Sequence, residues 1–274
     1  MTTEVETSVL GPERLSALHA EERQQKDNLC GCFWGTLVLR AHGFTEADGL
    51  AVDQDLVAIR AGAILPRTSA DDVPPGATPR HDYHLPIPVV DDHAITGTAA
   101  GPLAGAIAEL SGGALAALPV AGPWSAASVL ELLAAAAAEQ EMTLVANVRT
   151  GLLWGSRPAP ALVLDALAGR PVESPPPDWD VGHFVSLAAV LRGPGGTLVL
   201  VSDTYPELGW DGYHLQPAAA LAAALARGDG REGGVLCAGA AAAVDRLRGR
   251  LGDRFDIRFW DNGTPDYRRL ANGR

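Results

Sequence analysis

A cysteine standing where a polar loop turns into an amphipathic helix restricts this chain more than any other feature. In Gln24-Gln25-Lys26-Asp27-Asn28-Leu29-Cys30-Gly31-Cys32-Phe33-Trp34-Gly35, apolar residues recur from Cys30 on at 33, 34, 37, 38 and 41. That is the stripe of a half-buried helix. A helix N-terminus presents unpaired backbone N–H groups and the positive end of the helix dipole. Both favour a thiolate, the nucleophilic form of cysteine. Gln24 places a side-chain amide six residues upstream.

The downstream partners are as specific in type. Asp180-Val181-Gly182-His183-Phe184-Val185-Ser186-Leu187 starts a strand with a histidine, and Asp203 closes the next strand. The joint Arg192-Gly193-Pro194-Gly195-Gly196 predicts a hairpin, so strands 182–192 and 197–203 run antiparallel and Asp203 returns towards His183. Nucleophilic cysteine chemistry needs a thiolate, a base that shuttles a proton and donors for an oxyanion. Cys30, His183 and Gln24 fill these roles, and Asp203 fixes the tautomer and orientation of the imidazole. Gln25 competes with Gln24 for the oxyanion position, and Cys32 is expected in the core.

Composition narrows the partners. The 274 residues carry a net charge of −12, which argues against a nucleic-acid or anionic-membrane surface. Three cysteines at 30, 32 and 237 make no disulfide framework and suit a reducing compartment. The acidic, polar start lacks the basic and apolar regions of a signal peptide, and the apolar stretch 98–122 is broken by Gly and Pro, so a cytoplasmic location is expected. The only lysine, Lys26, lies four residues before Cys30 and reads as an ordinary turn residue. His81, His84, Asp91, Asp92 and His93 lack the ligand spacing of a closed zinc site and read as a solvated loop. No metal or cofactor is expected.

Along the chain, helices are predicted over 12–25, 30–42, 53–62, 98–111, 125–141, 217–227 and 239–251, with a capping box at Thr45–Asp48. Strands are predicted over 114–120, 142–154, 182–192, 197–203, 233–238 and 255–261. Residues 66–92 are rich in Pro, Asp, Gly and Thr and read as a long arm.

A glutamine before Cys-Gly at a helix start, a later His-Phe-Val-x-Leu strand and an Asp about twenty residues on together resemble the papain-like cysteine peptidase superfamily. The chain looks most like the peptidases that remove double-glycine leaders from bacteriocin precursors. The resemblance rests on some fifty residues. It implies an α+β papain-like fold in which the nucleophile helix packs on an antiparallel sheet. The core would comprise 12–62 and 125–206, with an insertion at 66–123 and an extension at 207–274. It also implies the roles of nucleophile for Cys30, base for His183, orienter for Asp203 and oxyanion donor for Gln24. The chain departs from the family in the 153 positions from Cys30 to His183 and in Asp203-Thr204-Tyr205-Pro206, where the family has Asp-Pro.

The expected activity is acyl chemistry on an amide bond through a thioester on Cys30, most simply a peptidase for a small peptide or precursor. A peptidyl- or acyltransferase in natural-product assembly is the enzyme alternative, and a peptide-binding module without turnover the non-enzyme one. Trp34, Trp210 and Tyr213 are expected to line the substrate groove.

Overall fold

The hairpin expected at 182–203 forms the middle of a seven-stranded antiparallel sheet in the computed structural model, which describes residues 5–68, 73–139 and 141–267. The sheet contains β1 (Glu6–Val9), β2 (Leu115–Val120), β3 (Thr143–Arg149), β4 (Gly182–Arg192), β5 (Thr197–Ser202), β6 (Tyr213–Pro217) and β7 (Gly234–Ala240). Their order is β6-β5-β4-β3-β7-β2. β4 is long enough to pair twice on one side: Ser186 faces Val145 of β3, and further on Ala189 faces Val9 of β1. A bulge between Leu187 and Ala189 separates the two registers against β5.

Strand side chains alternate between two apolar layers, as a period of two requires. Leu144, Ala146 and Val148 of β3 pack in one layer and Val145 in the other, and β7 divides Val235 and Cys237 from Leu236 and Ala238 in the same way. Helices α1 (Leu15–Glu22), α2 (Cys30–Ala41), α3 (Gln54–Ala61) and α4 (Ala100–Leu110) cover one face. The later helices are α5 (Ala126–Ala137), α6 (Pro160–Leu167), α7 (Ala218–Ala226) and α8 (Ala241–Leu251). Of these α5, α7 and α8 cover the other face, while α6 packs beside β5.

α2 is the most enclosed helix. Phe33, Trp34, Leu37, Val38 and Leu39 are fully buried, and each such side chain removed from water contributes roughly 1.5–3 kcal/mol. Gly31 and Gly35 bring its neighbours close: a Cβ on Gly35 would stand 2.9 Å from Val57 Cγ1 and 3.0 Å from Leu103 Cδ1. The helix is therefore gripped by α3 and α4, and its first residue, Cys30, is held at a fixed place beside β4.

Several expectations are corrected here. The strands expected at 114–120 and 233–238 form as β2 and β7, and β6 is a strand that was not expected. Thr45–Asp48 is no capping box: Glu46–Ala47 pairs with Leu50–Ala51 around Asp48-Gly49, both at positive φ (51° and 74°), the signature of a tight Asp-Gly hairpin. The cap of α3 is Asp53, whose carboxylate accepts from Leu56 N–H at 2.9 Å. Residues 255–261 form no strand: Asp256 exchanges backbone hydrogen bonds with Ala121 and Gly122, and the Asp261 carbonyl accepts from Glu232 N–H, but no ladder follows, although Phe255 and Trp260 are buried. The capping of α5 by Ser125 is as expected, with Ser128 N–H donating to its hydroxyl.

The arm is fastened rather than free. Leu65–Pro66 pairs in parallel with Val89–Val90, and Lys26 anchors what lies between. Its Nζ donates to Asp55 Oδ1 at 2.9 Å and to the Asp82 carbonyl at 2.8 Å, and both Lys26 and Asp55 are buried. Lys26 is thus a structural cation, not an exposed turn residue. Among the described residues no helix is long and apolar enough to cross a membrane.

Candidate active site

Cys30 begins α2, and the N-cap residue Leu29 supplies no side-chain cap. The N–H groups of the first turn therefore have no acceptor within the helix or from its cap, and Cys30 itself lines the cleft. The loop before it is set by the arm. Asp27 N–H donates to the Arg80 carbonyl, Arg80 N–H returns to Asp27 Oδ1, both at 3.0 Å, and Tyr83 Oη donates to the Asp27 carbonyl at 2.8 Å. Asn28 takes a positive φ of 62°, a conformation asparagine tolerates, and turns the chain into the helix.

His183 is the second residue of β4 and faces Val148 of β3. Its backbone carbonyl accepts from Asn147 Nδ2 at 3.3 Å. The imidazole is walled by Trp179, edge-on with centroids 5.2 Å apart, and Tyr205, stacked at 6.1 Å. His183 Nε2 meets Asp203 Oδ1 at 3.0 Å, with both side chains buried. That bond leaves Nδ1 as the nitrogen for Cys30. Burial by itself lowers the imidazole pKa, but the charge and hydrogen bond of Asp203 outweigh it, Cys30 adds to the rise, and the value reaches about 10.

Asp203 is held on every side. Its Oδ1 also accepts from Thr204 N–H at 2.7 Å and Tyr205 N–H at 3.2 Å, and its backbone carbonyl accepts from His19 Nε2 at 2.6 Å. His214 Nε2 lies 3.6 Å from Oδ2, and Gln216 Nε2 donates to His214 Nδ1 at 2.9 Å, which orients that second imidazole towards the carboxylate. Burial works to raise the carboxyl pKa. The two histidines overcome it and hold Asp203 below the usual carboxylate range.

The structure thus brings Cys30, His183 and Asp203 together and separates the other predicted residues from them. Gln24 points away: its Nε2 donates to the Thr78 carbonyl at 2.7 Å, outside the cleft. Gln25 takes the position instead. It is buried, lines the cleft with Cys30, and its Oε1 accepts from Thr204 Oγ1 at 2.6 Å, which leaves the amide nitrogen as the free end of the side chain. The correction has a simple cause: the spacing to Cys30 runs through a non-helical loop, where residue count does not fix direction.

Trp34, Trp210 and Tyr213 do not line the Cys30 cleft. They line a separate apolar groove with Leu10, Pro12 and Leu215. Trp34 lies one helical turn deeper than Cys30, its Nε1 bonded to the Phe184 carbonyl at 3.2 Å and its ring stacked on His19. Cys32 is buried against Thr98 Oγ1 at 3.3 Å; burial pushes its thiol up to about 12, although Thr98 opposes the shift. Burial likewise raises the Cys237 thiol.

His81, His84, Asp91, Asp92 and His93 are exposed, as expected of a solvated loop, yet two of them are tied to buried carboxylates. His81 Nε2 meets the buried Asp27 at 2.6 Å, and His84 Nδ1 meets the buried Asp55 at 2.8 Å. Among the described residues no group of three or more His, Cys, Asp or Glu is arranged to hold a metal ion. His93, Thr98, Arg227, Arg231 and Asn262 also line the cleft. Sequence reasoning missed them as site residues because they come from the segments read as arm, insertion and extension, and no spacing links them to Cys30.

Comparison with curated proteins and with solved structures finds no match. One family matches residues 9–261, nearly the whole chain, with Gln25, Cys30, His183 and Asp203 inside the matched range. This chain belongs to DUF6885, a family of unknown function.

Proposed function

We propose that the chain is a cysteine-nucleophile hydrolase that cleaves an amide bond in a peptide or peptide-like molecule, on a papain-like plan. The observation that carries this reading is the single imidazole of His183, fixed by Asp203 at 3.0 Å and influenced by Cys30 from within the same cleft. An imidazolium beside a thiolate at a helix N-terminus is the ion pair that activates a cysteine. The chain order supports the fold reading: nucleophile helix, histidine strand, carboxylate at the end of the next antiparallel strand.

In this mechanism the Cys30 sulfur attacks the amide carbonyl carbon, and the carbonyl oxygen becomes an oxyanion. The Gln25 amide and the Cys30 backbone N–H donate to it. His183 gives its proton to the departing amine as the C–N bond breaks, leaving a thioester. The same imidazole then takes a proton from water, whose oxygen displaces the sulfur and restores the thiol–imidazole pair. Asp203 keeps one tautomer throughout. An amine taking the place of water would make the same thioester a transfer intermediate. A reducing compartment suits an enzyme whose three cysteines are all free.

Site-resolved labelling tests the reading. Iodoacetamide near pH 7, followed by peptide mass spectrometry, is expected to modify Cys30 before Cys32 and Cys237, and His183→Ala is expected to slow that reaction. Equal labelling of the three cysteines in unfolding-free conditions sinks the proposal.

A further inference from the structure

The cleft beside Cys30 encloses about 170 Å³, close to the ~150 Å³ of a cavity that takes one benzene ring. It holds one residue-sized group. Two arginines line it, Arg227 and Arg231, in a chain whose net charge is −12.

Arg227 is 4% exposed and pays for its position with a positive φ of 63° at the end of α7. Its Nε and Nη2 fork onto Asp229 at 3.1 and 2.8 Å, so the remaining nitrogen, Nη1, is left for the cleft. Nη1 lies against Gly182, the residue before His183: a Cβ there would fall 2.9 Å away. Only glycine at 182 lets the guanidinium come this close to the imidazole strand.

Arg231 sits on the rim. Its Nη2 donates to the Ala94 carbonyl at 3.0 Å, and its stem packs on Gly263, where a Cβ would meet Nε at 2.6 Å. The acidic groups nearby are already engaged. Asp229, outside the cleft lining, balances Arg227, and Asp27, the acid that lines the cleft, accepts from Arg80 N–H and meets His81. Arg231 therefore leaves the wall with a positive charge beside a buried guanidinium edge, an arrangement suited to a carboxylate.

We infer that Arg227 and Arg231 form a carboxylate-binding subsite, so that the Cys30 site takes an amide whose neighbouring residue carries a free carboxylate, as the C-terminal residue of a peptide does. This rests on the reading of Cys30 as nucleophile. It narrows the substrate to an anionic group small enough for a cleft that accepts one residue.

Paired alkylating probes test it on the full chain. Iodoacetate and iodoacetamide differ by one carboxylate, and each forms a C–S bond at Cys30 as iodide leaves. The ratio of their rates at Cys30, read by peptide mass spectrometry, is expected to fall at least about threefold in Arg231→Gln and to be largely kept in Arg231→Lys, because one charge of a screened rim pair is removed or retained. Arg227→Gln is expected to lower it further where the variant folds. An unchanged ratio in Arg231→Gln, with Cys30 still labelled first, overturns the subsite and spares the nucleophile. Failure of Cys30 to react before Cys32 and Cys237 with either reagent in the wild type overturns the reading beneath it.

Discussion

Thr204 Oγ1 donates to Gln25 Oε1 at 2.6 Å while Gln25 N–H donates to the Thr204 carbonyl at 3.1 Å. The residue after Asp203 is thereby tied twice to the loop that leads into Cys30. Two segments 179 residues apart are locked in register at the point where the proposed oxyanion donor and the imidazole's orienter must agree.

Gln25→Ala is expected to slow acylation of Cys30 by about 10²-fold, the usual loss when one oxyanion donor is removed. Gln24→Ala is expected to stay within about threefold of wild type, since surface changes away from special features have small effects. Single-turnover rates with an activated ester separate the two. A larger loss at Gln24 reverses the assignment.

Asp203→Asn removes the charge that outweighs burial at His183. Burial is then opposed chiefly by Cys30, the imidazole pKa drops, and the imidazolium disappears at lower pH. Labelling of Cys30 by iodoacetamide at pH 8 is expected to slow by about tenfold or more, with its alkaline limb moved to lower pH. A pH profile identical to that of wild type defeats this role for Asp203.

The same pair shapes stability against pH. His183 rises from 6.5 to about 10, so its contribution is complete below pH 6.5 and drains away as pH climbs towards 10. Asp203 is depressed, so its contribution is present above its ordinary value of 3.8 and is lost as pH falls below it. Denaturant midpoints are expected to peak between those limits, and Asp203→Asn to flatten both flanks. An undiminished midpoint at pH 9.5 contradicts the His183 shift.

Lys26→Met leaves Asp55 buried without its cation. The expected loss is about 3 kcal/mol in chemical denaturation, in line with breaking a buried ion pair from one side. Trypsin is expected to cut at Arg80 sooner than in wild type, because the Asp82 carbonyl also loses its tether. A variant as stable and as resistant as wild type removes Lys26 from the framework.

The sequence made the arrangement of the candidate site legible where local rules act and obscured it where they do not. Cys30 was readable from a helical stripe, and His183 with Asp203 from a hairpin, because both patterns are short-range. Gln25 was not separable from Gln24: long-range bonds to Thr204 hold Gln25 inward while Gln24 bonds the Thr78 carbonyl outside the cleft. β6 escaped notice because Tyr-His-Leu-Gln-Pro lacks the β-branched run of a typical strand, yet it pairs with β5 at the sheet's edge. The segment 255–261, expected as a strand, makes backbone bonds only at Asp256 and Asp261, to Ala121, Gly122 and Glu232, too few for a ladder. Trp34, Trp210 and Tyr213 were assigned by chemical suitability alone, and packing sent them elsewhere.

The position of β7 has a consequence in time. It is the last strand of the sheet to leave the ribosome, yet it lies between β3 and β2, both made much earlier. Until it arrives, two interior edges stand open and unpaired, the condition under which growing chains most readily meet one another. Much of the sheet's assembly must therefore wait for residues that carry none of the proposed chemistry, and the cleft is among the last features of the molecule to close.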